Sequence, residues 1–272
     1  MDEQEIKELF KNTFNTVADG YDHPAIRFFS ESAKNISSYL NLEGNEHVLD
    51  VATGTGCAAL AVVKDLPHGH VTGIDFSKGM LSQAIKKKMQ AKVNNVTFIE
   101  MDMQEIDFPD AHFDIVMSAF SIFFIEDMKK QLLHMREKVK YDGKIIIITF
   151  YENTFSPLID LFLQRLKQYA IEPPVIAWRR VATQEQCISL FKEIRLDKVK
   201  NERLECGYYI KDASDWWYII WNVGLRGLVD QLSPNELVQF KKEHLAEVQE
   251  LASDQGIWLE MSALYTVGTQ RV

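Results

Sequence analysis

The chain has 272 residues, of which 46% are hydrophobic and 25% are charged, a composition typical of a globular protein with a sizeable core. Its formal net charge is −9 at pH 7, so a basic surface for phosphate backbones is missing and nucleic acid is not expected as a partner. Residues 145–150 form the longest strongly apolar run, far short of a membrane span, and residues 1–10 lack the features of a secretory signal. We expect a cytoplasmic monomer or homodimer without stable membrane insertion.

The cysteines and the lysine run give no signal of a disulfide framework, a metal site or a basic binding surface. Cys57, Cys187 and Cys206 show no paired spacing, so they are interpreted as free thiols, and neither a disulfide framework nor a metal site is expected. The one dense basic run, at residues 86–88, is interpreted as a solvated face of a helix.

Predicted strands and helices alternate from about residue 45 to residue 150, after a helical N-terminal segment. Residues 3–40 have a helical pattern that is broken near residues 20–24. Ser77 can cap the second of the helices that follow. The expected order after residue 40 is a strand at 47–52, a helix at 57–65, a strand at 71–75, a helix at 77–93, strands at 96–100 and 113–118, a helix at 127–139, a turn at 142–143 and a strand at 144–150.

The alternation stops after residue 150. Ser233 and Pro234 form a typical helix start. The expected elements are helices at 156–170 and 183–193, a partly polar strand at 197–209, mostly helix over 213–250 and a last strand at 258–269.

Nearly all-apolar strands that alternate with helices indicate a parallel sheet covered on both faces. The predicted fold class is α/β, a doubly wound Rossmann-like sheet of seven mostly parallel strands. Residues 1–40 would form an N-terminal helical cap and residues 41–272 the main domain, with helical insertions near residues 151–195 and 210–256. The two late strands would form an antiparallel closing pair at the sheet edge.

A glycine-rich turn follows the first strand and carries the first functional signal. Gly54 and Gly56 stand between this strand and a helix, where glycine lets the backbone approach a ligand and the helix N-terminus offers free N–H groups. In a doubly wound sheet this turn lies at the ligand-binding switch point. Together with Ala59, the glycines also fit the dinucleotide fingerprint, so an NAD(P)-dependent oxidoreductase is an alternative.

Two carboxylates near this turn bear on the choice of ligand. Asp50 lies inside the first strand, where it would repel a pyrophosphate and favour a ligand that carries an ammonium and a sulfonium. Asp75 ends the second strand, and an acidic residue there can accept hydrogen bonds from both ribose hydroxyls of an adenosyl ligand. Asp50 therefore favours the sulfonium ligand, whereas Asp75 fits both ligands.

Four stretches of the chain resemble the class I S-adenosylmethionine-dependent methyltransferases, and among them the ubiquinone/menaquinone C-methyltransferase group and its small-molecule relatives. They are residues 14–22 (FNTVADGYD), 49–56 (LDVATGTG), 71–81 (VTGIDFSKGML) and 105–116 (EIDFPDAHFDIV). Two departures are the turn at residues 139–143, VKYDG instead of LKPGG, and the segment after residue 150, which does not look like the quinone enzymes.

This resemblance implies that the protein transfers a methyl group from S-adenosylmethionine to a small-molecule acceptor. Tyr21 would cover the cofactor and also contact the substrate, Phe76 and Met80 would pack on adenine, and Asp102 would accept from its amine. The implied cofactor site comprises Tyr21, Asp50, Ala52, Gly54, Thr55, Gly56, Asp75, Phe76, Met80, Asp102, Met103 and Ser118. A non-catalytic binding module and a protein or nucleic-acid methyltransferase are further alternatives.

The acceptor and the catalytic base are less well indicated. His23 and Asp22 are weak candidates for a base, and His134 is interpreted as a packed or surface histidine. Trp217 and Trp221, which share a helix face, and Trp178 would line an apolar or aromatic substrate pocket. The alternative is that these aromatic side chains only dock the insertion onto the sheet.

Overall fold

A computed structural model describes residues 3–172 and 176–271 of the chain. The helices are α1 (Glu3–Val17), α2 (Phe28–Ala33), α3 (Ile36–Leu40), α4 (Cys57–Val62), α5 (Lys78–Ala91), α6 (Met128–Glu137), α7 (Leu158–Gln168), α8 (Gln184–Glu193), α9 (Ala213–Asn222), α10 (Arg226–Val229) and α11 (Pro234–Gln249). The strands are β1 (His47–Val51), β2 (His70–Asp75), β3 (Val96–Glu100), β4 (Phe113–Ala119), β5 (Val139–Phe150), β6 (Asp197–Glu205), β7 (Tyr208–Ile210), β8 (Ile257–Leu259) and β9 (Ser262–Thr269).

Seven of these strands form one sheet in the order β3-β2-β1-β4-β5-β9-β6. Strands β1 to β5 are parallel, and β9 runs antiparallel to both of its neighbours, β5 and β6. The predicted α/β fold with an antiparallel closing pair is therefore confirmed. The chain reverses its direction of winding between β1 and β4, and such a switch point opens a crevice at the carboxyl ends of the strands.

The central strands are buried because both faces of the sheet are covered. Residues 145–148 of β5 are four consecutive isoleucines, and each is at most 2% exposed. A strand covered on one face only would alternate apolar and polar side chains instead. Lys144 and the four isoleucines continue the β4 pairing after an irregularity near Asp142, whose φ is 62°. The predicted turn is thus a kink inside β5, which begins at Val139 rather than at Lys144.

Two late strand predictions need correction. The strand expected over residues 197–209 ends at Glu205, and the one expected over residues 258–269 is split, because β7 and β8 pair with each other in a separate two-stranded sheet. Gly207 lies at the break, where an added Cβ would meet Trp258 Cζ2 at 2.5 Å. The prediction of mostly helix over residues 213–250, with a helix start at Ser233 and Pro234, is confirmed by the three helices α9 to α11.

The helical insertion packs on itself around a buried polar pair. Trp216 of α9 donates its indole N–H to His244 Nε2 of α11 at 2.9 Å, and both side chains are fully buried. Burial lowers the pKa of His244 to about 3, so the imidazole is neutral and can accept this hydrogen bond. Arg165 of α7 pairs with Glu243 and Glu247 of α11 and joins the third helix to this unit.

A membrane-spanning helix needs about 20 consecutive, predominantly apolar residues. Within residues 3–172 and 176–271, no helix is both long enough and apolar enough to cross a bilayer.

Candidate functional site

A cavity of about 240 Å³ opens at the carboxyl ends of β1, β2 and β4, where the sheet has its switch point. Helix α1 lies over it and contributes Ile6, Lys7, Phe10 and Phe14 to its wall. Most of the residues predicted to bind a cofactor line this cavity, namely Tyr21, Asp50, Ala52, Gly54, Thr55, Asp75, Phe76, Met80, Asp102 and Met103.

The loop between β1 and α4 has the backbone geometry that its glycines predict. Gly54 has a φ of 55°, and an added Cβ there would meet nothing within 4 Å, so this residue faces open space in the cavity wall. Gly56, with a φ of 77°, instead packs against Phe98, whose Cζ would lie 2.8 Å from an added Cβ. Gly54 therefore allows a ligand to approach, and Gly56 allows the loop to pack on β3.

Two non-glycine residues at the switch point also adopt left-handed backbone conformations. Ala52 follows β1 with a φ of 56°, and Phe120 follows β4 with the same φ. Both line the cavity. Backbone strain of this kind occurs preferentially where a structure holds residues for a ligand.

Asp50 is buried at the bottom of the cavity with one oxygen free of protein partners. Its Oδ2 accepts hydrogen bonds from Thr53 Oγ1 at 2.5 Å and from the Ala59 N–H at 3.2 Å. Its Oδ1 is buried and has no hydrogen-bond partner. Burial raises the pKa of Asp50 to about 7, although its two hydrogen bonds act in the opposite direction. A buried acceptor oxygen without a protein partner, such as Asp50 Oδ1, is suited to a positively charged ligand.

Asp75 ends β2 and fixes the glycine-rich loop. Its Oδ2 accepts from the Gly54 N–H and its Oδ1 from the Ser77 N–H, each at 2.8 Å. Burial raises the pKa of this carboxyl to about 6, and the backbone N–H groups limit the rise. Each oxygen keeps a lone pair that a ligand hydroxyl can use.

The far end of the cavity is formed by residues after β2 and β3. Phe76 and Met80 lie beside Asp102 and Met103 in its wall. Asp102 accepts from the Gln104 N–H at 2.8 Å, and its other oxygen forms an ion pair with Lys7 of α1. Helix α1 is thus bound directly to a residue predicted to recognise adenine.

Tyr21 also lines the cavity. Its ring stacks on Phe29 with a centroid distance of 5.0 Å and an interplanar angle of 11°. Burial, together with the nearby Cys57, Asp75 and Asp22, raises the pKa of the Tyr21 phenol far above its ordinary value. The hydroxyl therefore stays protonated and can serve as a hydrogen-bond donor.

Gly56 and Ser118 are the two predicted cofactor residues that do not line the cavity. Ser118 Oγ donates to the Val51 carbonyl at 3.0 Å and is hydrogen-bonded to Ser121 Oγ. Ser121 lines the cavity in its place. Ser118 thus supports the wall from behind.

An aromatic part of the cavity was not predicted from the sequence. Phe29 and Phe120 line it with ring centroids 5.3 Å apart, and Phe124 packs against Phe10 at 5.0 Å. Ile148 of β5 completes the apolar wall. The one available signal was the spacing of Ile6, Phe10 and Phe14, which lie on one face of α1 at intervals of four residues.

The three tryptophans predicted to line a substrate pocket lie outside this cavity. Trp178 packs edge-on against Phe150 at 5.6 Å. Trp217 and Trp221 stack on each other at 6.0 Å, with Lys241 of α11 over the first ring. This arrangement corresponds to the docking alternative for the α9 aromatic side chains.

The candidate bases lie outside the cavity wall as well. His23 Nδ1 accepts from the Ala25 N–H at 3.1 Å, and its ring stacks on Tyr218 at 3.8 Å. His134 Nε2 accepts from the Ile106 N–H at 3.0 Å, as a packed histidine does.

Asp22 belongs to a polar cluster with Thr55, Cys57 and Lys87, which we call the Lys87 cluster. Lys87 Nζ donates to Asp22 Oδ1 at 2.8 Å and to Thr55 Oγ1 at 2.9 Å, and Cys57 Sγ lies 3.3 Å away. Lys88, its neighbour, donates to the Val96 carbonyl at 2.6 Å. The interpretation of residues 86–88 as a solvated face therefore fails for two of the three lysines.

A metal site needs several His, Cys, Asp or Glu side chains close together. Among the residues that the structure describes, no group of three or more His, Cys, Asp or Glu side chains is placed to hold a metal ion.

Comparison with known proteins identifies the family. A family model described as a methyltransferase domain matches residues 42–213, which is more than half of the chain. The chain therefore belongs to this methyltransferase family. The class of enzyme indicated by the four sequence stretches, an S-adenosylmethionine-dependent methyltransferase, is confirmed, and the nicotinamide oxidoreductase alternative is not favoured.

Curated relatives act on different small molecules. The aklanonic acid methyltransferase of Streptomyces sp. strain C5 is 27% identical over 66% of this chain and 83% of its own length. A ubiquinone/menaquinone biosynthesis C-methyltransferase of Bdellovibrio bacteriovorus is 30% identical over 58% of this chain and 70% of its own length.

Solved structures share the fold. The YcgJ protein from Bacillus subtilis superposes with a TM-score of 0.60 at 20% identity, covering 89% of this chain and 98% of that one. A phosphoethanolamine N-methyltransferase from Haemonchus contortus, solved with S-adenosylhomocysteine, gives a TM-score of 0.53 at 16% identity over 94% of this chain and 60% of that one. At these identities the likeness concerns the fold alone.

Proposed function

We propose that the cavity binds S-adenosylmethionine along the carboxyl ends of β1 and β2 and that the methyl group goes to an apolar, aromatic small molecule. One observation carries the proposal: a single cavity joins two buried carboxylates, Asp50 and Asp75, to a wall of phenylalanines. The carboxylates suit the polar, cationic cofactor, and the phenylalanines suit a flat apolar acceptor.

The residues present fit the proposed cofactor. The unpartnered Asp50 Oδ1 can accept from the methionyl ammonium, and Gly54 leaves room beside it. Asp75 can accept from the ribose hydroxyls, as it lies at the end of β2. Phe76 and Met80 offer an apolar surface for the adenine ring. Asp102 can accept a hydrogen bond from the adenine amine if its Oδ2, which is paired with Lys7, is shared between the two donors.

S-adenosylmethionine, when bound, supplies a methyl group already activated by the adjacent sulfonium. The protein then needs to hold the acceptor in line and to exclude water. Helix α1 and Tyr21 cover the cavity and would exclude water from it. We infer that residues 1–40 act as a cap over the site formed by residues 41–272.

The aromatic wall limits the kind of acceptor. Around Phe29, Phe120 and Ile148 the described lining contains no histidine that could remove a proton. The protonated Tyr21 hydroxyl can donate to an acceptor oxygen but cannot act as a base near neutral pH. The acceptor is therefore expected to present a nucleophile that ionises without help, such as an acidic phenol or enol.

The proposal is tested by transfer of a labelled methyl group to a panel of phenols, quinols and aliphatic amines. The variant F29L keeps an apolar side chain of similar volume but loses the stacked ring. We expect F29L to raise the KM of an aromatic acceptor about fivefold and to leave the KM of the cofactor unchanged, because one aromatic contact contributes about 1 kcal/mol.

Val238 provides a matched control, because it lies on α11 with 71% of its surface exposed and away from the cavity. V238A should behave like the wild type. Transfer to the aliphatic amines alone, or a loss of cofactor affinity in F29L, would contradict the proposed acceptor site.

A further inference from the structure

The Lys87 cluster places an ammonium directly behind the cavity wall. Thr55 and Cys57 line the cavity, and the side chains of both also contact Lys87 Nζ. The Lys87 side chain is 26% exposed, so it is neither free in solvent nor sealed in the core. Asp22 is its ion-pair partner and comes from the segment next to Tyr21.

The charges of the cavity are unbalanced. Four residues with carboxylate side chains line it, namely Asp50, Asp75, Asp102 and Glu126. Within the described lining, Lys7 is the one lysine or arginine, and it is already paired with Asp102 at the far end. A ligand that brings its own carboxylate to the Asp50 side would therefore find no cation in the wall itself.

S-adenosylmethionine carries such a carboxylate on its methionyl part, next to the ammonium. Burying a carboxylate is costly unless a cation or several N–H groups face it. Asp75 takes the ribose in the proposed pose, so the methionyl part extends along Gly54 and Thr55 towards Tyr21 and Cys57. Cys57 belongs to the Lys87 cluster, and Tyr21 is close to it because Cys57 and Asp22 both raise the pKa of the Tyr21 phenol.

We propose that Lys87 is the counter-ion of the methionyl carboxylate and that Asp22 is a positioning residue that aims the Lys87 ammonium past Thr55. The proposal rests on the proposed function, because it assigns one more contact to the same cofactor. Binding forms a triad of Asp22, Lys87 and the ligand carboxylate. No covalent step is involved.

The test compares S-adenosylmethionine with its decarboxylated analogue, which keeps the adenosine, the sulfonium and the ammonium but lacks the carboxylate. Titration calorimetry gives the ratio of the two dissociation constants. We expect the wild type to prefer the carboxylated ligand about tenfold, as for a charge-assisted hydrogen bond, and K87M to reduce this preference to about one. K87R should keep most of it.

Lys86 is the matched control, because it is the exposed neighbour of Lys87 on the same helix. K86M should retain the wild-type preference. If K87M weakened both ligands equally, Lys87 would only hold the loop in place, and the proposal would be overturned. If K87M binds neither ligand, the paired variant D22N/K87Q removes both charges together, and an unchanged preference there would overturn the proposal as well.

The outcomes also separate this inference from the proposed function. A wild-type protein that binds neither ligand contradicts the proposed cofactor site itself. A wild-type protein that binds both ligands with equal affinity contradicts only the role of Lys87.

Discussion

Replacing Asp50 by asparagine should change how the stability of the ligand-free protein depends on pH. Asp50 is 1% exposed, and burial raises the pKa of its carboxyl to about 7 from an ordinary 3.8. The folded protein therefore holds a proton on Asp50 at pH values where the unfolded chain has released it. A raised folded-state pKa stabilises the fold at low pH, and this stabilisation is lost as the pH rises through the folded-state value.

The size of the effect follows from these two pKa values. Near pH 5 the carboxyl is protonated in the folded protein and ionised in the unfolded chain, and at about pH 8.5 it is ionised in both. Proton linkage then gives a loss of about 3 kcal/mol of unfolding free energy between the two pH values. Asp75 has a slope of the same sign, because its pKa is raised to about 6. Asp75 is present in both proteins, so most of its share cancels when D50N is compared with the wild type.

Urea unfolding at the two pH values measures this difference. The wild type should lose about 3 kcal/mol more than D50N on going from pH 5 to pH 8.5. At pH 8.5 D50N should also bind S-adenosylmethionine at least about tenfold more weakly, because the amide cannot offer the negative charge. Identical pH profiles for the two proteins would refute the assignment of a buried, protonated Asp50.

Three further predictions concern stability and packing. G56A should lower the unfolding free energy by about 1–3 kcal/mol, because its Cβ would meet Phe98 at 2.8 Å. The control G227A should not lower it, because an added Cβ there meets nothing within 4 Å. Urea unfolding midpoints measure the difference, and equal midpoints for the two variants would contradict the packing role of Gly56. W217A should lose about 3 kcal/mol of stability but keep its affinity for S-adenosylhomocysteine, because the Trp217 ring packs outside the cavity. Weakened binding in a folded W217A would contradict the placement of Trp217 outside the ligand site. Burial lowers the pKa of His244 to about 3, so the unfolded chain takes up the proton first and stability should fall by about 2 kcal/mol between about pH 7.5 and pH 5. Urea unfolding should show H244Q to be flatter over this range, and an equal slope would show that His244 is not buried in its neutral form.

The part of the site that the sequence predicts is the part that is local in the chain. Asp50, Gly54 and Gly56 stand within one strand, turn and helix, and the backbone requirements of that turn fix the residue types. Asp75 follows from the same alternation of strands and helices. The fold class follows as well, because nearly all-apolar strands such as residues 145–148 are typical of a sheet covered on both faces.

The aromatic end of the cavity depends on contacts between distant segments. Phe29 lies in α2, Phe120 follows β4 and Ile148 lies in β5, and no spacing in the sequence relates them to one another. The tryptophans of α9 show that a clear local pattern can have two structural explanations. Trp217 and Trp221 share a helix face, but a shared face does not tell whether a ligand or another helix covers it, and here α11 supplies Lys241.

The Lys87 cluster was missed for a related reason. A run of three lysines is usually solvated, and only the packing of α5 against the glycine-rich loop turns Lys87 towards Thr55 and Lys88 towards Val96. Likewise, the ion pair of Lys7 with Asp102 depends on how α1 crosses the cavity, which a helical pattern in residues 3–17 cannot specify.

The central claim is that this cavity binds S-adenosylmethionine with Asp75 on its ribose. The most direct measurement is titration of S-adenosylhomocysteine and of NADH into the wild type and into D75A by calorimetry. We expect S-adenosylhomocysteine to bind the wild type, D75A to bind it about tenfold or more weakly, and NADH not to bind. Binding of NADH alone, or equal binding of S-adenosylhomocysteine to both proteins, would contradict it.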